Sequence, residues 1–122
     1  MALDFTTKVV GKLLEVTSTG YDETVEDSVN YGEAILKVCA EHQCNKILVD
    51  ETGLTKVLDT VGQYELVTRL IAKVPYYIEV AMVVNPANYA ETSFGSTVAV
   101  NRGVNIQVFT SVEEAREWLN RE

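Results

Sequence analysis

Hydrophobic positions recur along this chain in two rhythms, every second residue in short runs and every third or fourth in longer ones, and the alternation of the rhythms predicts the elements. Two β-rich runs come first, Phe5 to Val10 and Lys12 to Thr17, separated by Gly11. The first reads as an extended edge or a hairpin arm. The second alternates Lys12, Leu14 and Val16 against Leu13, Glu15 and Thr17, as a strand does. After a loop from Ser18 to Asp22, Glu23 to His42 carries Val25, Val29, Gly32, Leu36 and Cys39 at spacings of three and four, with acids in its first turn where the helix dipole favours them.

Asn45 to Gly62 forms the centre of the pattern. Its apolar run Lys46 to Asp50 predicts a central strand that opens into a loop at Asp50 and Gly53. Asp59-Thr60 then caps a helix from about Asp59 to Val74, with Val61, Tyr64, Val67, Ile71 and Val74 on one face and Pro75 ending it. Tyr77 to Val84 is rich in β-branched residues and reads as the strongest strand, stopped by Asn85-Pro86. Ala87, Ala90, Phe94 and Val98 fall at helical spacing, and Gly103 sits where a left-handed cap would close that helix. Val104 to Phe109 alternates as a strand with one polar face. Ser111 with Glu114, or Thr110 with Glu113, gives a capping box for a last helix that docks through Val112, Ala115 and Leu119. Trp118 is expected to cover that seam, so that its truncation to Ala costs about 3 kcal/mol.

Strands alternating with helices after one extra N-terminal strand predict an α/β domain with a largely parallel sheet of four or five strands. The polar face of the last strand predicts that part of one sheet face is wet or covered by something other than a helix. With 122 residues the chain is read as a single domain, residues 1–122. Apolar residues at 47% and charged residues at 23% are ordinary for a globular protein. The net charge of −8, from 18 acidic and 10 basic side chains, disfavours nucleic acid and anionic membrane surfaces as partners. The first ten residues show no secretory signal and no apolar stretch reaches spanning length, so a cytoplasmic location without membrane insertion is expected.

Candidate chemistry is sparse. Cys39 and Cys44 match neither a redox pair nor a zinc pair, and His42 stands alone near a helix end. Asp50 and Glu51 point to opposite sides of an extended segment, so a shared-proton dyad is not expected, and solvation in the loop or capping is. No glycine-rich loop follows a strand, and the acids and Lys of a receiver domain are missing from their places, which hold Ser18-Thr19-Gly20 and Thr110-Ser111. Catalytic, cofactor-binding and metal-binding residues are therefore expected to be none.

Several segments together carry a resemblance: Ile47-Leu48-Val49-Asp50, Asp59-Thr60-Val61-Gly62, the helix ending Val98-Ala99-Val100-Asn101-Arg102-Gly103, and Val108-Phe109-Thr110 followed by Glu113 to Leu119. The chain resembles the small STAS-like (SpoIIAA-like) bacterial domains, grouped with the anti-sigma-factor antagonists and, more distantly by fold, with the CRAL-TRIO lipid carriers. The resemblance implies a right-handed β-α superhelix with helices mostly on one side and no enzymatic activity. It also implies, in the antagonist branch, phosphorylation by a partner kinase of the hydroxyl directly before the Gly of an Asp-Ser-Ser/Thr-Gly motif. Val61 stands at that place here, with Thr60 one residue earlier.

The function expected is that of a regulatory or protein-interaction module, the alternative being a carrier or sensor that binds a small apolar ligand between helices and sheet. Ligands and partners of open α/β sheets gather beyond the carboxyl ends of the strands, which makes Asp50, Thr52, Asp59, Thr60, Asn85 and Asn88 the candidate interaction surface. The free edge of the first strand predicts a two-fold homodimer.

Overall fold

The computed structural model describes residues 3–121. Its five strands, β1 (Leu3–Val10), β2 (Leu13–Tyr21), β3 (Lys46–Lys56), β4 (Glu79–Val84) and β5 (Asn105–Phe109), form one sheet in the order β1-β2-β3-β4-β5. β1 runs antiparallel to β2, and every other neighbour pair is parallel. The hairpin closes with Val10 opposite Leu13, and Gly11 takes the φ of +61° that a two-residue turn asks for at its first central position.

Four helices accompany the sheet: α1 (Val25–Glu41), α2 (Thr60–Leu70), α3 (Tyr89–Val100) and α4 (Val112–Leu119). Crossovers of one hand that all step the same way along a sheet put their helices on one face. α1, α2 and α3 connect successive parallel strands and pack side by side in that manner, while α4 follows the last strand and covers β3, β4 and β5 from the other face. The core is correspondingly double. Leu14, Val16, Ile47 and Val49 meet Tyr31, Ile35 and Cys39 of α1 in the larger part. Leu48, Ala81, Val83 and Phe109 meet Ala115 and Leu119 of α4 in the smaller.

Three elements differ from the sequence reading. β3 does not stop at Asp50 but continues to Lys56, because β2 also runs on, to Tyr21, and the two strands stay paired through Thr19 opposite Gly53 and Tyr21 opposite Lys56. The register shifts there between Thr17 and Thr19 and again between Gly20 and Tyr21, which breaks the alternation that would mark a strand. Asp50 and Glu51 are thus sheet residues, neither loop-solvated nor capping.

α2 is rotated from the expected face. Val61 is 77% exposed and Tyr64 is exposed too, while Gln63 is buried and Leu66, Val67 and Leu70 turn inward. α3 likewise leaves Ala90 and Phe94 outside and buries Thr92, Gly95, Val98 and Ala99. Close packing explains both shifts: a Cβ at Gly95 would lie 2.7 Å from Oε1 of Gln63, so the bare glycine lets α3 approach α2 along that line. The last helix starts as expected, with the Ser111 hydroxyl accepting from the Glu114 N–H at 3.3 Å. Asn105 and Gln107 remain exposed on β5, the polar face that its alternation announces.

Candidate functional site

All three inward helices begin at the carboxyl-end rim of the parallel strands, and short polar side chains fix the starts of α1 and α2 and the turn that leads into α3. Thr24 accepts from the Asp27 N–H at 3.0 Å, Asp59 from the Gly62 N–H at 2.8 Å, and Asn85 from the Ala87 N–H at 3.0 Å just before α3. Asp59 and Asn88 line one depression there, together with Thr24, Lys56 and Glu91. Asn88 is buried and donates its side-chain N–H to the Leu54 carbonyl at 3.1 Å, tying α3 to the end of β3.

The other candidates are placed separately. Asp50 lies in the sheet opposite Thr17 and Val83, on the face that Leu48 presents to α4, and accepts two hydrogen bonds from Thr52, from its N–H at 3.0 Å and its hydroxyl at 2.7 Å. Thr60 is the exposed first residue of α2, and Asn85 is exposed beside the turn that it caps. Of the six, then, the structure brings together Asp59 and Asn88 on one side and Asp50 and Thr52 on another.

The same rim holds a second polar group that the sequence reading passed over, and it lies inside. Glu51 follows Ile47 and Val49 on the strand face turned to α1 and is only 4% exposed. Tyr31 of α1 donates its hydroxyl to Oε2 of Glu51 at 2.9 Å and is hydrogen-bonded to the Ser18 hydroxyl at 2.5 Å, with Phe5 of β1 packed edge-on against its ring. Asp22, at the end of β2, Ser28, in the first turn of α1, and Thr92, near the start of α3, complete the group; all three are buried.

Burial pushes the Glu51 carboxyl up to about 8, with the charge of Asp22 adding to the rise and the Tyr31 hydrogen bond opposing it. Burial likewise raises the Tyr31 phenol, and the Glu51 charge raises it further. Asp22 is raised by burial as well. Below the rim this group opens into an apolar cavity of about 180 Å³ between the sheet and the three helices, floored by Ile47, Val49, Val80 and Met82 and walled by Ile35, Leu66 and Leu70. Such an arrangement can hold a proton on Glu51 and present hydrogen-bonding atoms to whatever enters. No thiol or imidazole is among its residues. Among the described residues no group of three or more His, Cys, Asp or Glu is disposed to hold a metal ion, and no helix is long and apolar enough to cross a membrane.

The sequence signals for this group were weak but real: an acid two residues beyond Val49 on an apolar strand face, and a tyrosine four residues before Ile35 on the buried stripe of α1. Reading Asp50 as the end of the strand hid the first of them.

Neither a family model nor a curated protein matches the sequence. Among solved structures, an anti-sigma factor antagonist from Mycobacterium paratuberculosis matches with a TM-score of 0.68 over 98% of this chain and 95% of that one, at 12% identity. The likeness is one of architecture, and it establishes that this chain has the STAS-type α/β fold of that antagonist.

Proposed function

We propose that the protein is a non-enzymatic regulatory module that works by binding another protein through the rim where α2 begins. The observation that carries this reading is the fold shared along nearly the whole chain with an anti-sigma factor antagonist. The local geometry agrees with it. Thr60 and Val61 stand exposed on the first turn of a helix whose start is fixed by Asp59, so a partner can reach both a hydroxyl and an apolar side chain without disturbing the core. A phosphate on Thr60 would sit at a helix N-terminus, where the dipole and free amides favour negative charge.

Affinity capture from an extract of the native host tests the reading, with the wild-type chain and Thr60→Glu compared as baits. A carboxylate in a first helical turn is electrostatically acceptable, so the variant should keep its fold. The partner held by the wild type should be reduced about tenfold or more on the variant; equal recovery on both baits would refute the rim as the contact.

Self-association belongs to the same reading. Among the described residues no strand lies beside the outer edge of β1, and Val9 and Val10 are exposed there. Light scattering at micromolar concentration should give about twice the chain mass of 13.5 kDa, and a mass that stays at that of one chain as concentration rises would contradict it.

A further inference from the structure

The cavity beneath the rim is lined at one end by polar atoms whose hydrogen bonding is incomplete. Asp22 Oδ1, Ser28 Oγ and Thr92 Oγ1 are buried without a hydrogen bond of good geometry among the described residues, although the Ser28 hydroxyl and the Leu58 N–H lie near enough to Asp22 to favour its charged form, and the three residues are 8%, 2% and 5% exposed. A buried polar group is stable when fully hydrogen-bonded, so three incompletely served atoms at one end of one cavity favour an occupant that donates to them. Their positions converge: Asp22 leaves β2, Ser28 opens α1, Thr92 lies in the first turns of α3, and all three line the cavity with Glu51. Beyond them, apart from Tyr31, Gln63 and Ser96, the lining is apolar.

The charge of the site selects the occupant. Two carboxyl groups, Asp22 and Glu51, line it, and the described residues around it include no Lys, Arg or His. An anion would find two carboxyl groups and no cation, and a purely apolar molecule would leave the hydrogen bonding of these atoms incomplete. An ammonium group brings three donors and no acceptor, which suits carboxyl oxygens and hydroxyl lone pairs together, and its charge favours release of the proton that burial keeps on Glu51 up to about pH 8, leaving a carboxylate opposite the cation. Volume limits the rest: a cavity of about 150 Å³ holds benzene, so this one admits a ligand of about eight heavy atoms.

We propose that the cavity is a binding site for a small primary amine with a compact apolar body, its ammonium seated among Asp22, Ser28, Glu51 and Thr92 and its hydrocarbon against Leu66, Leu70 and Val80. This site lies inside the α1–α3 layer and not on the surface offered to a protein partner, so it stands whether or not Thr60 is the contact.

The test is titration of the full chain at pH 7 with benzylamine, toluene and benzoate, followed by calorimetry or by amide shifts in NMR. Benzylamine should bind at least about tenfold more tightly than toluene, benzoate should show no binding up to about 10 mM, and the shifts should fall on residues lining the cavity. Glu51→Gln should weaken benzylamine about tenfold while changing toluene less than about twofold. Val67→Phe, which fills the cavity, should abolish both. Thr92→Val exchanges a hydroxyl for a methyl of the same size and should weaken benzylamine alone, which keeps the test open should the phenylalanine variant not fold. The proposal is overturned if benzylamine binds no better than toluene or not at all, if benzoate binds equally, or if Glu51→Gln and Thr92→Val both leave benzylamine affinity unchanged.

Discussion

Replacing Glu51 by Gln is expected to stabilise the protein at pH 8 while leaving it nearly unchanged at pH 5. In the unfolded chain this carboxyl releases its proton near its ordinary value of 4.5, and in the folded protein burial moves that release up to about 8. Between those values the native state holds a proton that the unfolded state lacks, so stability falls as pH rises through the window. The sign is opposite to that of a carboxylate held by an ion pair, whose contribution is lost on acidification. A displacement of this size corresponds to about 3 kcal/mol lost between pH 5 and pH 8. Asp22, also raised by burial, adds a loss of the same sign from a more acidic starting point. The amide oxygen of Gln can still accept from the Tyr31 hydroxyl but has no proton to lose, so the variant should lack the decline. Urea unfolding at both pH values measures it, and equal midpoints for the two proteins at pH 8 would show that Glu51 is ionised at little cost in the native state.

Leu119→Ala should cost about 3 kcal/mol, and more than Trp118→Ala, which should cost about 1 kcal/mol. α4 is eight residues long and is the cover of the second sheet face, with Ala115 and Leu119 fully buried against Leu48, Ala81 and Val83. Lys46 at the start of β3 also donates to the Leu119 carbonyl, so the helix end is held from the sheet. Trp118 is only half-buried. It leans on Phe109 with ring centroids 6.0 Å apart and carries the Arg121 guanidinium 4.3 Å above its own ring. Removing it sacrifices contacts that water partly replaces, whereas removing Leu119 opens the core. Urea unfolding of both variants gives the order, and a Trp118→Ala loss equal to or above that of Leu119→Ala would reverse the assignment of which residue anchors α4.

The alternating periods of Leu14–Val16 and Ile47–Val49 and the three-and-four spacing of α1 were enough to read the element order, because each reflects one buried face. The position of the rim was legible for the same reason, since it follows from strand direction. What lay within it was not. The inward faces of α2 and α3 depend on Gly95 admitting Gln63, a fit between two helices that neither helix displays alone. Val61 and Phe94 look like core residues by spacing and are exposed, while Ser28 and Thr92 look like surface residues and are buried. The end of β3 was hidden by its bulges with β2, and with it the fact that Glu51 points inward beside Tyr31.

The strands lie in the sheet in the order in which they occur along the chain. No strand has to be inserted between two that are already paired, as happens in sheets whose order reverses partway. During synthesis the hairpin of β1 and β2 can close first, and each later strand can add to the exposed edge of the last as it leaves the ribosome, with its helix folding down behind it. Only α4 must wait, since the face it covers is not complete until β5 has been added, so a nascent chain arrested before Val112 would display Leu48, Ala81 and Val83 to the surrounding chaperones.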